Sequence, residues 1–255
     1  MTGYMMQTII YPNPPLYPMR KSSVDEIRER FDNDVERFST LSIGQTTTVD
    51  AVLAMDLITQ AASLVNPDAS HILDVGCGAG NYTLKLLQRQ YDLDVTLVDL
   101  SRPMLDRARE RIAQVTEGEI TTMQGDIREL DIGEERYDII LAAAVLHHLR
   151  DESQWLSVYK KLFDSLTPGG SIWVFDLVEH DIPAIQELMW RRYGRYLVDY
   201  KDQEFRDLVY GYITKEDTPR SLLFQVDTMR KAGFVDPVVL HKNLCYAAFG
   251  AVKPR

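Results

Sequence analysis

Residues 71–80 read His-Ile-Leu-Asp-Val-Gly-Cys-Gly-Ala-Gly and decide the fold. The apolar residues up to Val75 predict a short buried strand, and the amphipathic segment 81–91 after them predicts a helix. Three alternating glycines form the turn between the two elements. Because glycine accepts a positive φ and has no Cβ, a ligand can lie directly on the backbone amides of such a turn. The stretch therefore predicts a ligand site.

A second apolar strand, residues 95–99, ends in the acid Asp99. A carboxylate at the tip of the second strand can accept both hydroxyls of a ribose, which indicates a nucleoside-containing cofactor. Two features argue against NAD. The turn is Gly-x-Gly-x-Gly, whereas the pyrophosphate fingerprint is Gly-x-Gly-x-x-Gly. Asp74, beside the turn, would repel a diphosphate but can help to hold an ammonium group.

With these features in place, the sequence resembles the class I S-adenosylmethionine-dependent methyltransferases over roughly residues 70–177. The resemblance rests on five motifs that occur in order, each at the end of a predicted strand. They are Leu73-Asp-Val-Gly-Cys-Gly-Ala-Gly80, Asp99, Gly125-Asp-Ile127, the segment from Tyr137 to Leu149, and Leu166-Thr-Pro-Gly-Gly170.

Alternating strands and helices predict an α/β fold with a doubly wound sheet. The resemblance implies the seven-stranded, mostly parallel, Rossmann-like methyltransferase form, in which the last two strands make a hairpin and the final strand is reversed. Strands are predicted at 71–75, 95–99, 120–124, 137–143, 171–176, 235–240 and 245–252. Core helices are predicted at 81–91, from the N-cap Ser101, at 152–166, and from Thr218-Pro219 to Gly233.

Three further regions surround this core, which we place at residues 67–255. Residues 1–22 are rich in proline and predict an extended or disordered arm. Residues 23–66 predict a helical cap, with one helix from the capping box Ser23-x-x-Glu26 to Ser39, a polar connector at 41–48, and a second helix at 49–65 capped by Thr47. The first helix either packs on the domain or forms part of a lid, and the resemblance favours the lid. Residues from about 180 to 216 predict a helical insertion after the fifth strand.

Composition limits the class of protein. The chain has 255 residues, 45% of them hydrophobic and 26% charged, which is ordinary for a soluble globular protein. It has no apolar run of the ~20 residues that a membrane span needs. Two cysteines indicate a reducing compartment, by default the cytoplasm. A formal net charge of −10 argues against general affinity for nucleic acid. The oligomeric state stays open, a homodimer included.

The resemblance implies S-adenosyl-L-methionine as the cofactor and assigns residues to it. The amino-acid part would lie over the glycine turn with Asp74 near its ammonium, Asp99 would accept the ribose hydroxyls, and an edge of the adenine would meet Asp126. For Asp74 and Asp126 a purely structural role in a capped turn is the alternative. The predicted cofactor-binding residues are Asp74, Gly76, Cys77, Gly78, Gly80, Asp99, Leu100, Met104, Asp126, Ile127 and Ala143.

His147 and His148 directly follow the fourth strand, where the methyl group should point. A histidine can accept the proton that a hydroxyl or ammonium acceptor loses. Neighbouring residues face different ways, so at most one of the two should contact the acceptor, and we place His147 first. An orienting or helix-starting role is the alternative. The pair predicts no metal site, since no further His, Cys or acid stands at ligand spacing.

The insertion is rich in arginine and aromatic residues. Arg191, Tyr193, Arg195 and Tyr196 are predicted to line the acceptor pocket, with a guanidinium able to hold an anionic group through two hydrogen bonds. The alternative is an amphipathic hairpin that only packs on the fold.

The predicted function is methyl transfer to the oxygen or nitrogen of a small molecule. A second resemblance, to carboxy-S-adenosylmethionine synthases of tRNA modification, rests on Gly125-Asp-Ile-Arg128 and the ending Lys231-Ala-Gly-Phe234. That family uses an arginine of the inserted helices, for which no match is found here, so a carboxyl-transferring or tRNA-modifying enzyme is the alternative. A third hypothesis is a protein that binds the cofactor without turnover.

Overall fold

The computed structural model describes residues 20–40 and 47–255 of the chain. All but the last three residues of the predicted arm lie outside the described residues. All but the last two residues of the predicted connector at 41–48 do so as well.

Within the described residues, seven strands form one sheet in the order β3-β2-β1-β4-β5-β7-β6. Neighbouring strands are parallel except that β7 runs antiparallel to both β5 and β6. This order confirms the predicted doubly wound sheet and its reversed last strand. The strands are β1 (His71–Val75), β2 (Asp94–Asp99), β3 (Ile120–Gln124), β4 (Tyr137–Ala143), β5 (Leu166–Leu177), β6 (Val235–Asn243) and β7 (Tyr246–Val252).

Helices cover both faces of this sheet. The described α-helices are α1 (Val24–Asp32), α2 (Val35–Ser39), α3 (Ala51–Val65), α4 (Asn81–Leu87), α5 (Arg102–Ile112), α6 (Glu152–Ser165), α7 (Pro183–Tyr200), α8 (Gln203–Glu216) and α9 (Leu222–Ala232), and a short 3₁₀ turn spans Leu146–His148. Since successive side chains of a strand point to opposite faces, Ile72 packs with α3, α4 and α5, whereas Leu73 packs with α6 and α9. None of the described helices is both long and apolar enough to cross a membrane.

The cap differs from its prediction. The capping box of Ser23 and Glu26 forms, but the helix expected to reach Ser39 breaks after Asp32 into α1 and α2. The backbone N–H of Asn33 returns to the carbonyls of the preceding turn, which ends α1. The third helix belongs to the core instead of the cap, because its buried face lies in the same apolar cluster as β1.

The start of α3 also corrects the sequence interpretation. Thr47 does not cap it, and the residue before the helix is Asp50, which has a left-handed φ of 57° and makes no side-chain cap. Its carboxylate instead accepts hydrogen bonds from His241 and Asn243 of β6, both at 2.8 Å. This contact joins the beginning of α3 to the edge strand.

Several boundaries moved by a few residues. The helix predicted at 81–91 ends at Leu87, and α9 begins after Ser221, whose hydroxyl accepts from the N–H of Phe224, instead of at Thr218-Pro219. Thr218 is not helical because its N–H donates to the carbonyl of His147 at 2.7 Å. Strand β5 begins at Leu166, so Gly169-Gly170 lies within it and not at a turn before it.

Candidate active site

A cavity of about 310 Å³ lies at the carboxyl edge of the sheet, where β1, β2 and β4 end. Its floor is the glycine turn after β1, and residues of α1 and α2 face it from the other side. The aromatic rings of Phe31 and Phe38 belong to that cover. Such a volume falls at the lower end of small-molecule and cofactor sites.

The glycine turn leaves room for a ligand at one particular position. Gly76 and Gly78 both have left-handed φ values, +66° and +50°. A Cβ on Gly76 would stand 2.5 Å from the side chain of Val145, whereas a Cβ on Gly78 would have no atom within 4 Å. Gly76 is therefore required by packing, and Gly78 faces the open cavity. Gly80 does not line the cavity; a Cβ on it would stand 3.0 Å from the side chain of Ile112 and 3.2 Å from that of Ala108, both in α5.

Asp99 ends β2 and holds the turn in place. Its two carboxylate oxygens accept hydrogen bonds from the N–H of Gly78 at 2.9 Å and of Ser101 at 2.8 Å. Burial raises the pKa of Asp99 to about 6 despite these donors. Leu100 and Met104 follow it on the cavity wall.

Two polar groups of the same wall lie deeper. Asp74 is buried and accepts from the hydroxyl of Thr83 at 2.7 Å, and burial raises the pKa of this carboxyl to about 7. The hydroxyl of Tyr82 is buried and has no hydrogen-bond partner among the residues that the structure describes. A buried hydroxyl without a partner is costly, so this one is available to a ligand.

Asp126 and Ile127 line the cavity as well. The carboxylate of Asp126 is held by the guanidinium of Arg128, whose Nε lies 2.9 Å from Oδ1. Burial opposes ionisation, but the hydrogen bonds from Arg128 outweigh it and lower the pKa of Asp126. The sequence motif singled out the acid and gave no role to this arginine, which also lines the cavity.

The two histidines occupy different layers. His148 lines the cavity, whereas His147 does not; its ring stands behind, 4.4 Å from that of His148 between centroids. The order of preference in the sequence interpretation, with His147 first, is thus corrected. The local cause is Asp176 at the end of β5, whose carboxylate accepts from both the backbone N–H and the Nδ1 of His147.

A second carboxylate joins this pair from the insertion. Oδ1 of Asp217 lies 3.6 Å from Nε2 of His147 and 3.3 Å from Nδ1 of His148. The sequence predicted no metal site because no acid stands at ligand spacing from the pair, whereas the fold brings Asp217 close to both rings. Only the fold brings Asp217 there, after α7 and α8, so no spacing rule could have found it.

Burial and the charges of this cluster shift the pKa values of the two imidazoles in opposite directions. Burial disfavours a charge on His147, but the carboxylates of Asp176 and Asp217 prevail and raise its pKa to about 9. Burial and, to a smaller extent, the charge of the neighbouring His147 lower the pKa of His148 well below its usual value. Burial also raises the pKa of Asp217 to about 6. At neutral pH the imidazole that faces the cavity is uncharged.

Helix α1 is fastened to the end of α8 beside these histidines. The guanidinium of Arg30 binds the carboxylate of Glu216 through Nε at 2.8 Å, and the side chain of Glu216 is 7% exposed. The N–H of Ser22 donates to the carbonyl of Lys215 at 2.9 Å. Arg150 bridges the same segments, with hydrogen bonds to the carbonyls of Ser22 and Glu216. These residues gave no signal in the sequence, because their partners are distant along the chain.

The insertion does not supply the predicted acceptor residues. Arg191 and Arg195 are exposed, and neither they nor Tyr193 and Tyr196 line the cavity. Tyr193 is fully buried and donates to the carbonyl of Thr47 at 2.7 Å. The prediction is corrected for a simple reason: the apolar stripe of α7 faces the core, and its arginines lie on the other side of the helix.

Comparisons with known proteins agree with this architecture. Residues 72–170 match the family model described as a methyltransferase domain. A malonyl-[acyl-carrier protein] O-methyltransferase of Priestia megaterium is 31% identical over 150 residues, which are 57% of this chain and 49% of that protein. A carboxy-S-adenosyl-L-methionine synthase of a Geobacter species is 32% identical over 130 residues, 49% of this chain and 52% of the relative.

A solved structure shows the same fold over nearly the whole chain. It is the 1,6-didemethyltoxoflavin-N1-methyltransferase of Burkholderia thailandensis with bound S-adenosylhomocysteine, at a TM-score of 0.62 and 19% identity, covering 95% of this chain and 94% of that one. The chain spans about half the length of the first curated relatives it matches.

Residues 72–170 therefore match a methyltransferase domain, and the fold is that of S-adenosylmethionine-dependent methyltransferases. This confirms the resemblance seen in the sequence, the fold it implied and S-adenosyl-L-methionine as the cofactor of the class.

Proposed function

We propose that this protein transfers a methyl group from S-adenosyl-L-methionine to an oxygen or nitrogen of a small, largely apolar acceptor. The observation that carries the proposal is the cavity itself. One half of its wall has the glycine turn and Asp99, and the other half has the rings of His148, Phe31 and Phe38. The same cavity is thus lined by the features of a cofactor site and by a neutral imidazole.

The residues present fit an adenosyl amino acid. The open position at Gly78 accepts atoms without a clash, and Asp99 presents a carboxylate beside it. The hydroxyl of Tyr82, which has no partner among the described residues, offers a hydrogen bond within the same wall. None of these features requires a positively charged side chain, in keeping with a ligand that has no phosphate.

Each acid of this wall then has a distinct role. Asp74 lies near the ammonium, and Asp99 accepts the ribose hydroxyls. Asp126 keeps its bond to Arg128 and meets the adenine amino group, while the N–H of Ile127 donates to a ring nitrogen. Leu100 and Met104 cover the faces of the adenine.

The acceptor lies against the remaining wall. The side chains of Ile27, Phe31, Phe38 and Leu149 are apolar, which favours a flat or hydrophobic molecule over a highly charged one. The bound sulfonium supplies an activated methyl group. The protein aligns the acceptor with it, and the uncharged imidazole of His148 accepts the proton that a hydroxyl or ammonium acceptor releases.

We also propose that α1 and α2 act as a lid. They cover the cavity, and the Arg30–Glu216 ion pair holds α1 against the insertion. A closed cover excludes water from the reacting groups, and the break between the two helices provides a hinge. We place the protein in a reducing compartment, the cytoplasm, since Cys77 and Cys245 are both buried free thiols.

Carboxyl transfer is the weaker candidate. The sequence interpretation required an arginine of the inserted helices to grip an added carboxylate, and neither Arg191 nor Arg195 lines the cavity. The likeness to a carboxy-S-adenosyl-L-methionine synthase covers 49% of this chain. Methyl transfer needs no such arginine and is the function the cavity supports better.

The test has two stages. Calorimetry should detect 1:1 binding of S-adenosylhomocysteine, and Asp99→Ala should weaken it by about 10- to 100-fold, because hydrogen bonds to a charged group are lost. Asp94→Ala, at the other end of β2, is the matched control and should bind as the parent does. A panel of phenolic, carboxylic and amine acceptors with methyl-labelled cofactor then reports turnover. Absence of binding, or equal binding by parent and Asp99→Ala, refutes the cofactor site; binding without turnover on the whole panel refutes the methyl-transfer proposal.

A further inference from the structure

The cluster of His147, His148 and Asp217 has the arrangement of a metal-ligand set. One ligand atom from each residue lies within 4.8 Å of the other two, and Oδ1 of Asp217 is near both Nε2 of His147 and Nδ1 of His148. Two of the three separations are 3.6 Å and 3.3 Å. In a tetrahedral site with metal–ligand bonds of about 2.0–2.2 Å, neighbouring ligand atoms stand roughly 3.3–3.5 Å apart. The two separations that involve Asp217 thus already match those of a tetrahedral site.

The surroundings of His147 match those of a metal-bound histidine. Its Nδ1 is bonded to the carboxylate of Asp176, which leaves Nε2 directed at Asp217. A metal-ligating histidine characteristically donates its other ring N–H to a carboxylate or carbonyl, which fixes the tautomer and the ring orientation. Asp176 is itself fully buried and also accepts from the backbone N–H groups of His147 and Leu177, so its position is rigid.

Charge also fits a divalent ion. Asp176 and Asp217 bring two carboxylates to one small buried volume. The nearby arginines have other partners: Arg30 binds Glu216, and Arg150 donates to the carbonyls of Ser22 and Glu216 and to the hydroxyl of Thr218. A divalent cation would replace the proton on Nε2 of His147 and, held by two neutral imidazoles, would balance the two carboxylates.

We propose that His147, His148 and Asp217 bind a divalent first-row transition metal ion such as Zn²⁺, with Asp176 orienting His147. Two imidazoles and one carboxylate suit zinc or its neighbours in the series better than Mg²⁺ or Ca²⁺, which prefer oxygen ligands. Three protein ligands leave a fourth position open. Since His148 lines the cavity, the ion lies at the wall that faces the acceptor.

The ion would change the part that His148 plays. With its Nδ1 lone pair on the metal, the ring would carry hydrogen on Nε2, so His148 would serve as the proposed base only when the ion is absent. The binding itself does not depend on methyl transfer, so it is measured without cofactor or acceptor and can hold or fail separately from the proposed function.

The experiment uses the full chain after treatment with a chelator. Zn²⁺ is titrated by calorimetry and Co²⁺ by its visible d–d absorption, which reports ligand number and geometry. We expect one ion per chain for the parent. Asp217→Asn and His148→Gln should each weaken binding by at least about tenfold, and Asp176→Asn by about 10- to 100-fold through the lost orientation of His147.

His241→Gln is the matched control, because His241 forms a hydrogen bond of 2.8 Å with a single acid, Asp50, outside the cluster. It should bind the ion as the parent does. If a cluster variant does not fold, as judged by circular dichroism, zinc X-ray absorption on the parent decides by showing two imidazole ligands and a carboxylate oxygen at about 2.0–2.2 Å. No binding of either ion by the parent, equal binding by parent and Asp217→Asn, or an absorption spectrum without imidazole scattering would overturn the inference.

Discussion

The two halves of the cavity are built in different ways. The cofactor half comes from short loops that directly follow consecutive strands, so Gly78, Asp99 and Asp126 each sit a few residues after an apolar run. The half proposed for the acceptor has His148 after β4 and the aromatic residues of α1 and α2, and the histidine pair is contacted by Asp176 at the end of β5 and Asp217 after α8. The first half is local in sequence, and the second depends on the whole fold.

The two halves should therefore respond differently to mutation. Each loop of the cofactor half contributes its residues from one short stretch, so a mutation there that spares the packing, as at Gly78, should act on a single ligand group. A wall assembled from separate segments depends on the ion pairs and hydrogen bonds that join those segments. The following predictions test the contrast, from the largest effect to the smallest.

The first prediction separates packing from ligand binding within the cofactor half. Gly76→Ala should lower the free energy of unfolding by about 2–5 kcal/mol, from a strained left-handed backbone and a clash with Val145. Gly78→Ala carries only the backbone strain, about 1–2 kcal/mol, but its methyl group enters the cavity and should weaken S-adenosylhomocysteine binding at least about tenfold. Denaturant unfolding and calorimetry measure the two effects. Equal losses of stability in both variants would contradict the assignment.

The second prediction concerns the Arg30–Glu216 ion pair, which joins α1 to the end of α8. Arg30→Ala leaves the buried carboxylate of Glu216 without its guanidinium and should destabilise the closed position of α1 by about 2–3 kcal/mol. The expected cost is at the low end for such pairs because the side chain of Arg30 is 20% exposed. Hydrogen exchange of the α1 amides should then speed up by about 30- to 150-fold, at about 1.4 kcal/mol per tenfold change.

A control lies on the same helix. Arg28 forms an exposed ion pair with Asp25 at 3.0 Å, with side chains 40% and 74% exposed. Such pairs contribute little, so Arg28→Ala should leave the exchange of α1 almost unchanged. Similar exchange in the two variants would show that the Arg30–Glu216 pair does not hold the lid.

The third prediction concerns pH and the cofactor half. The pKa values of Asp99, about 6, and Asp74, about 7, are raised by burial, and the cofactor is expected to bind the charged carboxylates. Affinity for S-adenosylhomocysteine should therefore be full above about pH 8 and be lost as the pH falls through 7 and 6. The loss should be about 20-fold between pH 8 and pH 6, where both carboxyls take up protons. Asp74→Asn should remove the upper part of this dependence, and a flat profile in the parent would contradict the role of both acids.

The smallest effect is expected for the insertion. The double variant Arg191→Ala/Arg195→Ala should bind S-adenosylhomocysteine and turn over acceptors within about twofold of the parent, because both side chains are exposed and neither lines the cavity. Steady-state kinetics with any acceptor found in the panel measure this. A tenfold loss of acceptor turnover would instead support the sequence prediction that these arginines line the acceptor pocket.

The same contrast explains how much could be predicted from the sequence. Strands β1, β3 and β4 were predicted to the residue, because apolar runs between turns define a buried parallel strand. The glycine turn and Asp99 were placed correctly because each directly follows or ends an apolar strand, and the N-cap Ser101 because its hydrogen bond to the N–H of Met104 is local.

The errors have one physical cause. Asp217, Asp176 and Arg30 act through partners that are distant along the chain, and no periodicity reveals a long-range pair. The aromatic and basic residues of α7 gave a strong local signal, but a helix with such a composition can face either way. Tyr193 turned to the core since its hydroxyl meets the carbonyl of Thr47 there.

The reversal of β7 has a practical consequence. Its last residue, Val252, pairs with Ser171 near the beginning of β5, at the opposite edge of the sheet from the cavity. A fluorophore or a surface anchor attached through Arg255 would therefore stand clear of the ligands. The same attachment near Ser22 or Ser23, both of which line the cavity, would obstruct the entry and exit of the ligands.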